Sequence, residues 1–173
     1  MWNELSAIDP TVGGATHAEV DAFRLMAMFL NPCDNKASNQ RLVCPSVPGS
    51  EKHTDPDQAP QCDHPLAMIQ DVGSTFGPKK VNLHAWNESP VWADAASCTI
   101  SMKHLPYHGG TFPDVSISEE GRRLLSDRLT KVTASQLTVL FTNARFDDVD
   151  HWVAAFERKV DEIAHRPPCP STN

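Results

Sequence analysis

The sequence has no surplus of positive charge, no long hydrophobic run and no paired-cysteine metal motif. Its formal net charge is -7, which argues against a nucleic-acid-binding surface or a polybasic membrane patch. The longest apolar run, residues 23–30, contains Arg24 and is too short to cross a bilayer. The first residues lack the basic and apolar regions of a signal peptide. We therefore expect a cytoplasmic chain, or part of a longer exported precursor, without a membrane span.

The cysteines do not have the spacing of a metal-binding motif. The five cysteines include no C-x-x-C pair, so the sequence does not predict a zinc knuckle. Cys44 and Cys62 flank a proline-rich stretch and would close a disulfide loop if the chain is exported. They would remain free thiols in a reducing cytoplasm. Both alternatives stay open, because spacing alone does not establish bridging geometry.

Breaker residues divide the chain into a leading loop, a body and a tail. Residues 1–16 contain Pro10 and a glycine pair, which predict an N-terminal loop. Residues 17–165 carry the apolar periodicity of one folded body. Residues 166–173 are rich in proline, and we expect them to be disordered.

A buried helix is predicted over residues 17–30. Thr16 and Glu19 have the T-x-x-E spacing of a capping box, and seven apolar residues follow. Asn31 and Pro32 end the helix, because the residue before a proline is pushed out of the α region.

Two short apolar runs predict a small β ribbon. Residues 41–43 and 66–70 are strand-like, and a proline-rich insert at 44–65 separates them. Residues 79–116 alternate apolar pieces with breakers and predict brief strands or packed loop. We expect Trp86 and Trp92 to pack there in the core.

Three further helices are predicted after residue 117. Ser118 caps the first, Thr133 or Ser135 the second, and Asp148 or Asp150 the third. The predicted fold is therefore mainly α with a small β ribbon (α+β). On these helices we expect an apolar core side and a charged outer side. The expected core side includes Leu124, Leu125, Leu129, Val132, Leu137, Leu140 and Phe141, and the outer side Arg122, Arg123, Asp127 and Arg128.

Two polar motifs sit beside the predicted ribbon. Asp34, Lys36 and Asn39 form D-x-K-x-x-N between the first helix and the first strand. Asp71 and Gly73 form D-x-G directly after the second strand. A phosphoryl-transfer site needs a carboxylate to accept a hydroxyl proton, a cation near the phosphates, and oxygen ligands for Mg²⁺. The two motifs supply these groups in that order.

The motifs resemble those of the atypical protein-kinase-like superfamily. Residues 34–39 are similar to the kinase catalytic loop, and residues 71–73 to its metal-binding turn. The following Ser-Thr-Phe-Gly is closest to the lipid and secretory-pathway branches. The resemblance implies that residues 17–165 are a kinase-like C-terminal lobe. It further implies that Asp34 is the catalytic base and Lys36 the phosphate contact, that Asn39 and Asp71 bind Mg²⁺ or Mn²⁺, and that Gly73 belongs to the cofactor turn.

The resemblance also implies ATP as phosphoryl donor and an unidentified hydroxyl-bearing acceptor. The chain departs from the family at Pro32 and Cys33, where His-Arg is usual, and in the 37-residue separation of Asp34 from Asp71. Residues 1–33 leave no room for a nucleotide-binding N-lobe. We therefore expect the lobe to come from an upstream segment of the parent protein, and the domain to be inactive alone.

Two other readings remain open. In the first, the chain is a non-catalytic helical binding domain or a pseudokinase, and the acidic loop only positions a partner. In the second, it is a thiol- or metal-dependent hydrolase that uses Cys98 and the pair His104 and His108. No G-x-S-x-G elbow or H-E-x-x-H motif accompanies those residues, and Cys98 lies in an apolar stretch typical of a structural position.

Overall fold

The computed structural model describes residues 5, 8–32, 39–43, 66–69, 72–77, 80–103 and 114–170. Within them, five α-helices and two small antiparallel sheets form the protein. The helices are α1 (His17–Leu30), α2 (Leu83–Glu88), α3 (Glu119–Leu129), α4 (Ala134–Asn143) and α5 (Val149–Ala164). The strands are β1 (Gln40–Val43), β2 (Leu66–Ile69), β3 (Thr99–Ile100) and β4 (Val115–Ser116). The prediction of a mainly α fold with a small β ribbon is confirmed.

Helix α1 begins and ends where its sequence signals predict. The Thr16 side chain accepts a hydrogen bond from the Glu19 amide, and the Glu19 carboxylate accepts one from the Thr16 amide. Asn31 ends the helix in the left-handed conformation, with φ of 50°, and its N–H donates to Ala27. Half of the helix is buried, and α1 packs mainly against α3.

The predicted ribbon is present as an antiparallel pair. Gln40 lies opposite Ile69 and Val43 opposite Leu66. The insert at 44–65, with Cys44 and Cys62, lies outside the described residues. The second pair, β3 with β4, is only two residues long on each strand.

The three predicted C-terminal helices are confirmed, and the first two have side-chain caps, whereas the Asp148 side chain makes no capping hydrogen bond at the start of the third. Ser118 caps α3, and Thr133 forms a capping box with Gln136 at the start of α4. Asp148 precedes α5 in a left-handed conformation. Helix α5 contacts α2, α3 and α4, so its broad apolar face is the centre of the helical body.

An aromatic cluster fills the space between α1, α2, α4 and α5. Its rings lie with centroids 4.7–6.4 Å apart, mostly edge to face. Such pairs contribute about 0.5–1.5 kcal/mol each beyond their buried area. The aromatic cluster consists of Phe29, Phe76, Trp86, Phe141, Phe146, Trp152 and Phe156. Trp86 and Trp92 are both buried, as the sequence predicts.

Helix α2 is an element that the sequence analysis does not predict. It is six residues long, and Asn82 caps it by accepting from the Ala85 amide. Trp86 anchors it by donating its indole N–H to the Phe29 carbonyl at 2.7 Å. Because a helix of fewer than two turns has too few positions for a periodic pattern, this helix depends on that long-range contact.

Several side chains do not lie where helical periodicity predicts. Arg122, expected on the outer face of α3, is only 6% exposed and donates to the Ile163 carbonyl at 2.6 Å. Leu140 and Val132, expected in the core, are 56% and 37% exposed. The periodicity of a single helix does not identify which neighbour covers which side, and among the described elements α4 packs mainly against α5.

The tail also differs from its prediction. Residues 166–170, expected to be disordered, pack on the helical body, and Cys169 forms a disulfide with Cys98. Residues 171–173 lie outside the described residues. Because Cys98 is disulfide-bonded and fully buried, it is not the free thiol that the hydrolase reading requires.

Candidate functional site

The candidate site lies where the β1–β2 ribbon meets the end of α1. Asn39 and Gly73 are among the described residues, and they flank β1 and β2 respectively. Asn39 is half-buried and Gly73 is exposed. The other three site residues, Asp34, Lys36 and Asp71, lie outside the described residues.

The register of the ribbon determines which end of it carries Asn39. Gln40 is the first residue of β1 and pairs with Ile69, the last residue of β2. Asn39 therefore stands at the ribbon end where β2 finishes. In the sequence, Asp71 follows Ile69 by only two positions. Paired strands lie about 5 Å apart, so Asn39 stands beside the strand end from which the sequence continues to Asp71.

A tight turn follows β2 and is held by hydrogen bonds. The Thr75 amide and hydroxyl both donate to the Val72 carbonyl, at 3.3 and 3.0 Å. The Phe76 amide then donates to the Leu30 carbonyl at 2.7 Å. This bond joins the turn after the D-x-G motif to the last residue of α1.

That bond links the described segments that lie nearest in sequence to the two polar motifs. Asp34 follows Leu30 by four residues, and Asp71 precedes Phe76 by five. The end of α1 and the turn after β2 therefore belong to one region of the protein.

Phe76 and Gly77 explain why the turn keeps its shape. Phe76 has φ of 61° and packs its ring edge to face against the rings of Trp86 and Trp152, with centroids 5.0 and 5.9 Å away. Gly77 also has positive φ, and a Cβ there would collide with the Lys80 carbonyl. Glycine, which has no Cβ, adopts this positive φ easily and avoids the collision with the carbonyl. The aromatic cluster therefore supports the turn from behind.

Asn31 is a polar residue at this junction that the sequence analysis treats only as a helix stop. Its side chain is 2% exposed, and neither amide atom has a hydrogen-bond partner within the described part of the chain. A buried amide without a partner costs about 1–3 kcal/mol. Its position, three residues before Asp34, is the signal that sequence reasoning passed over.

Among the lysines that the structure describes, Lys159 has the most strongly shifted pKa, and it lies in the helical body. Lys159 is 2% exposed, its ammonium group lies 5.3 Å from the Trp86 ring centroid, and it donates to the Ser89 carbonyl. Burial lowers the pKa of Lys159 to about 8. Its position on α5 places it against α2, where it binds the C-terminal end of that short helix.

The described residues contain no group of three or more His, Cys, Asp or Glu side chains that could hold a metal ion. His104 and His108, named for the hydrolase reading, lie outside this part of the chain. Among the helices that the structure describes, none is long and apolar enough to cross a membrane.

No protein-family model, curated protein or solved structure matches the chain. The function therefore has to be argued from the residues and their placement.

Proposed function

We propose that this chain is a kinase-like phosphotransferase domain that uses Mg²⁺ and ATP. Asp34 accepts the proton of the acceptor hydroxyl, and Lys36 offsets the charge on the transferred phosphoryl group. Asn39 and Asp71 provide oxygen ligands for the metal, and Gly73 allows the backbone to turn beside it. Amide and carboxylate oxygens are the donors that a hard cation such as Mg²⁺ prefers.

The antiparallel register of β1 and β2 is the observation that carries the proposal. It puts Asn39 at the ribbon end where β2 finishes, and the D-x-G motif begins two residues later. The register therefore supports the proposal by bringing Asn39 to the strand end from which the sequence continues to Asp71.

The hydrogen bond between Phe76 and Leu30 gives further support. It fixes the turn after D-x-G to the helix that leads into D-x-K-x-x-N. A base on one motif and metal ligands on both have to approach the same phosphate, so the two segments need a common support. The aromatic cluster provides it without adding a charge that would compete for the metal.

Metal binding is the sharpest test, because it depends directly on the two proposed ligands, Asn39 and Asp71. Mn²⁺, which gives an electron paramagnetic resonance signal when free, is titrated into the whole chain. We expect Asp71→Asn to weaken binding at least about tenfold, a change of about 1.4 kcal/mol. Asp127→Asn, which removes the same charge from an exposed position on α3, is the matched control and should bind like the wild type.

The outcomes separate this proposal from its main alternative. Asp34→Asn should keep most of the Mn²⁺ affinity, because a catalytic base does not have to be a ligand. If the wild-type chain binds no Mn²⁺ at millimolar concentration, or if both aspartate variants near the ribbon bind normally, the proposal is wrong. A non-catalytic helical binding domain or pseudokinase then becomes the better description.

A further inference from the structure

The C-terminal strap, residues 165–170, is held on the body by three separate contacts. The Arg166 guanidinium stacks over the Trp92 ring, 4.4 Å from its centroid, and donates to the Ala95 carbonyl. The Cys169 amide donates to the Glu119 carboxylate at 2.9 Å. The third contact is the disulfide between Cys98 and Cys169. Three prolines and an arginine would otherwise favour an extended, solvated tail.

Cys98 sits at a point where several backbone segments meet. It has φ of 54°, is fully buried, and its carbonyl accepts from the Ile117 amide at 2.9 Å. Ile117 immediately precedes the cap of α3. The disulfide therefore attaches the strap to the junction between the β3–β4 pair and α3, rather than to a mobile surface loop.

Glu119 reinforces the same attachment from α3. One carboxylate accepts from Arg122 at 2.7 and 2.8 Å, from Arg123 at 2.9 Å, and from the Cys169 amide. These hydrogen bonds, those of Arg122 above all, lower the pKa of Glu119 to about 2. The strap thus binds the ion pair of Glu119 with Arg122, and this contact holds Cys169 close to Cys98.

We propose that the Cys98–Cys169 disulfide locks the C-terminal strap, and that the domain is built for an oxidising compartment. Disulfides persist in exported proteins and are rare in a reducing cytoplasm. Both sulfurs lie in a largely buried region, at 0% and 7% residue exposure, where a bond once formed is protected from thiols. This conclusion is independent of the proposed phosphoryl transfer.

Bond formation requires an oxidant, and the proposal names it as a protein or small-molecule disulfide. One thiolate attacks a sulfur of the oxidant, giving a mixed disulfide and releasing one thiolate. The second cysteine thiolate then displaces the remaining oxidant sulfur. Two cysteine thiols are oxidised, the oxidant disulfide is reduced to two thiols, and the two protons go with them.

Peptide mapping tests the bond directly. The whole chain is produced in an oxidising compartment and in a reducing cytoplasm, alkylated, and digested with trypsin without reduction. We expect residues 81–103 and 160–173 to be found as one linked pair from the oxidising compartment, since each peptide has a single cysteine. From the reducing cytoplasm both should carry the alkyl group. Free, alkylated Cys98 and Cys169 in the oxidised preparation would overturn the proposal.

Thermal unfolding tests whether the bond is a lock. The experiment uses a Cys33→Ala, Cys44→Ala, Cys62→Ala background, in which Cys98 and Cys169 are the two cysteines that remain. Reductant should lower the Tm of this background by roughly 5–15 °C. Adding Cys98→Ala and Cys169→Ala should abolish the response, and alanine avoids burying a hydroxyl at Cys98. An unchanged Tm in the reduced background would show that the strap is not locked by this bond.

Discussion

The aromatic cluster and the C-terminal strap hold two parts of the same body by opposite means. The cluster contacts the turn of the candidate site through uncharged rings, with Phe76 at its edge. The strap is held by an ion-pair network, a cation over an indole ring and a disulfide. Ring packing depends on buried area and shape, whereas the strap contacts depend on protonation and oxidation.

This difference predicts how the protein responds to its surroundings. The turn after the D-x-G motif should keep its shape across pH and redox conditions, because its support does not titrate. The strap should loosen in acid, or once its buried disulfide has been reduced, while the site remains folded. The two supports can therefore be broken separately by single substitutions.

The largest effect is expected from opening the aromatic cluster. Trp152 contacts Phe146, Phe141 and Trp86 with ring centroids 4.7–5.8 Å away, and it is 4% exposed. Trp152→Ala should lower the free energy of unfolding by about 3–5 kcal/mol, measured by urea denaturation and circular dichroism. It should also weaken Mn²⁺ binding, because Phe76 loses a neighbour that fixes the turn.

Val139→Ala is the control for that substitution. Val139 is 58% exposed on α4, so its truncation should change the free energy of unfolding by no more than about 0.5 kcal/mol. If Trp152→Ala destabilises the chain but leaves Mn²⁺ affinity intact, the cluster supports the fold and not the site.

A smaller effect is expected from the ionic anchor of the strap. Glu119→Gln leaves the buried Arg122 guanidinium without its carboxylate and weakens the contact with the Cys169 amide. Hydrogen bonds to charged groups contribute about 1.5–3 kcal/mol, and we expect a loss of that size at pH 7. Glu120→Gln, one residue along the same helical turn and exposed, is the matched control.

The pH dependence of this difference has a definite sign. The folded-state pKa of Glu119 is lowered from an ordinary 4.5 to about 2. Its contribution is therefore present above about pH 4.5 and lost as the pH falls through about 2. The difference in unfolding free energy between wild type and Glu119→Gln should shrink over that range. Equal losses for Glu119→Gln and Glu120→Gln would show that the anchor is not specific.

The helices could be predicted from the sequence because their starts and stops are local signals. The capping boxes at Thr16 and Thr133 and the stop at Pro32 depend on neighbouring residues alone. The two-stranded ribbon was predictable for the same reason, since its runs are short and bounded by breakers. For the candidate site, these local signals predict that Asn39 and Gly73 lie next to the two strands.

Long-range contacts made the remainder unpredictable. Arg122 is buried because a carbonyl 41 residues away accepts a hydrogen bond from its guanidinium, and no helical periodicity contains that information. The strap is ordered by a cysteine 71 positions earlier in the chain. A proline-rich tail without that partner would be expected to be disordered. The roles of Asp34, Lys36 and Asp71 remain predictions from their motifs.

The smallest effect on stability is expected at Lys159, a charged residue that contacts the aromatic cluster. Its ammonium group is buried against the Trp86 ring of the aromatic cluster, yet it is charged and binds the Ser89 carbonyl. Replacement by Met removes a costly buried charge and a favourable contact together, so Lys159→Met should change stability at pH 7 by no more than about 1 kcal/mol.

Its pH dependence is more informative than its size. Burial lowers the folded-state pKa of Lys159 from an ordinary 10.5 to about 8. Between these values the unfolded chain binds the proton and the folded chain releases it, so wild-type stability should rise with pH relative to Lys159→Met. Denaturant unfolding at pH 7.5, 9 and 10 measures the difference, and Lys131→Met, at an exposed lysine, corrects for the lost charge. If the difference in unfolding free energy between wild type and Lys159→Met does not change over this pH range, Lys159 remains charged inside the protein. The aromatic cluster would then contain a charged group throughout this range, and its separation from the ionic contacts of the strap would not hold.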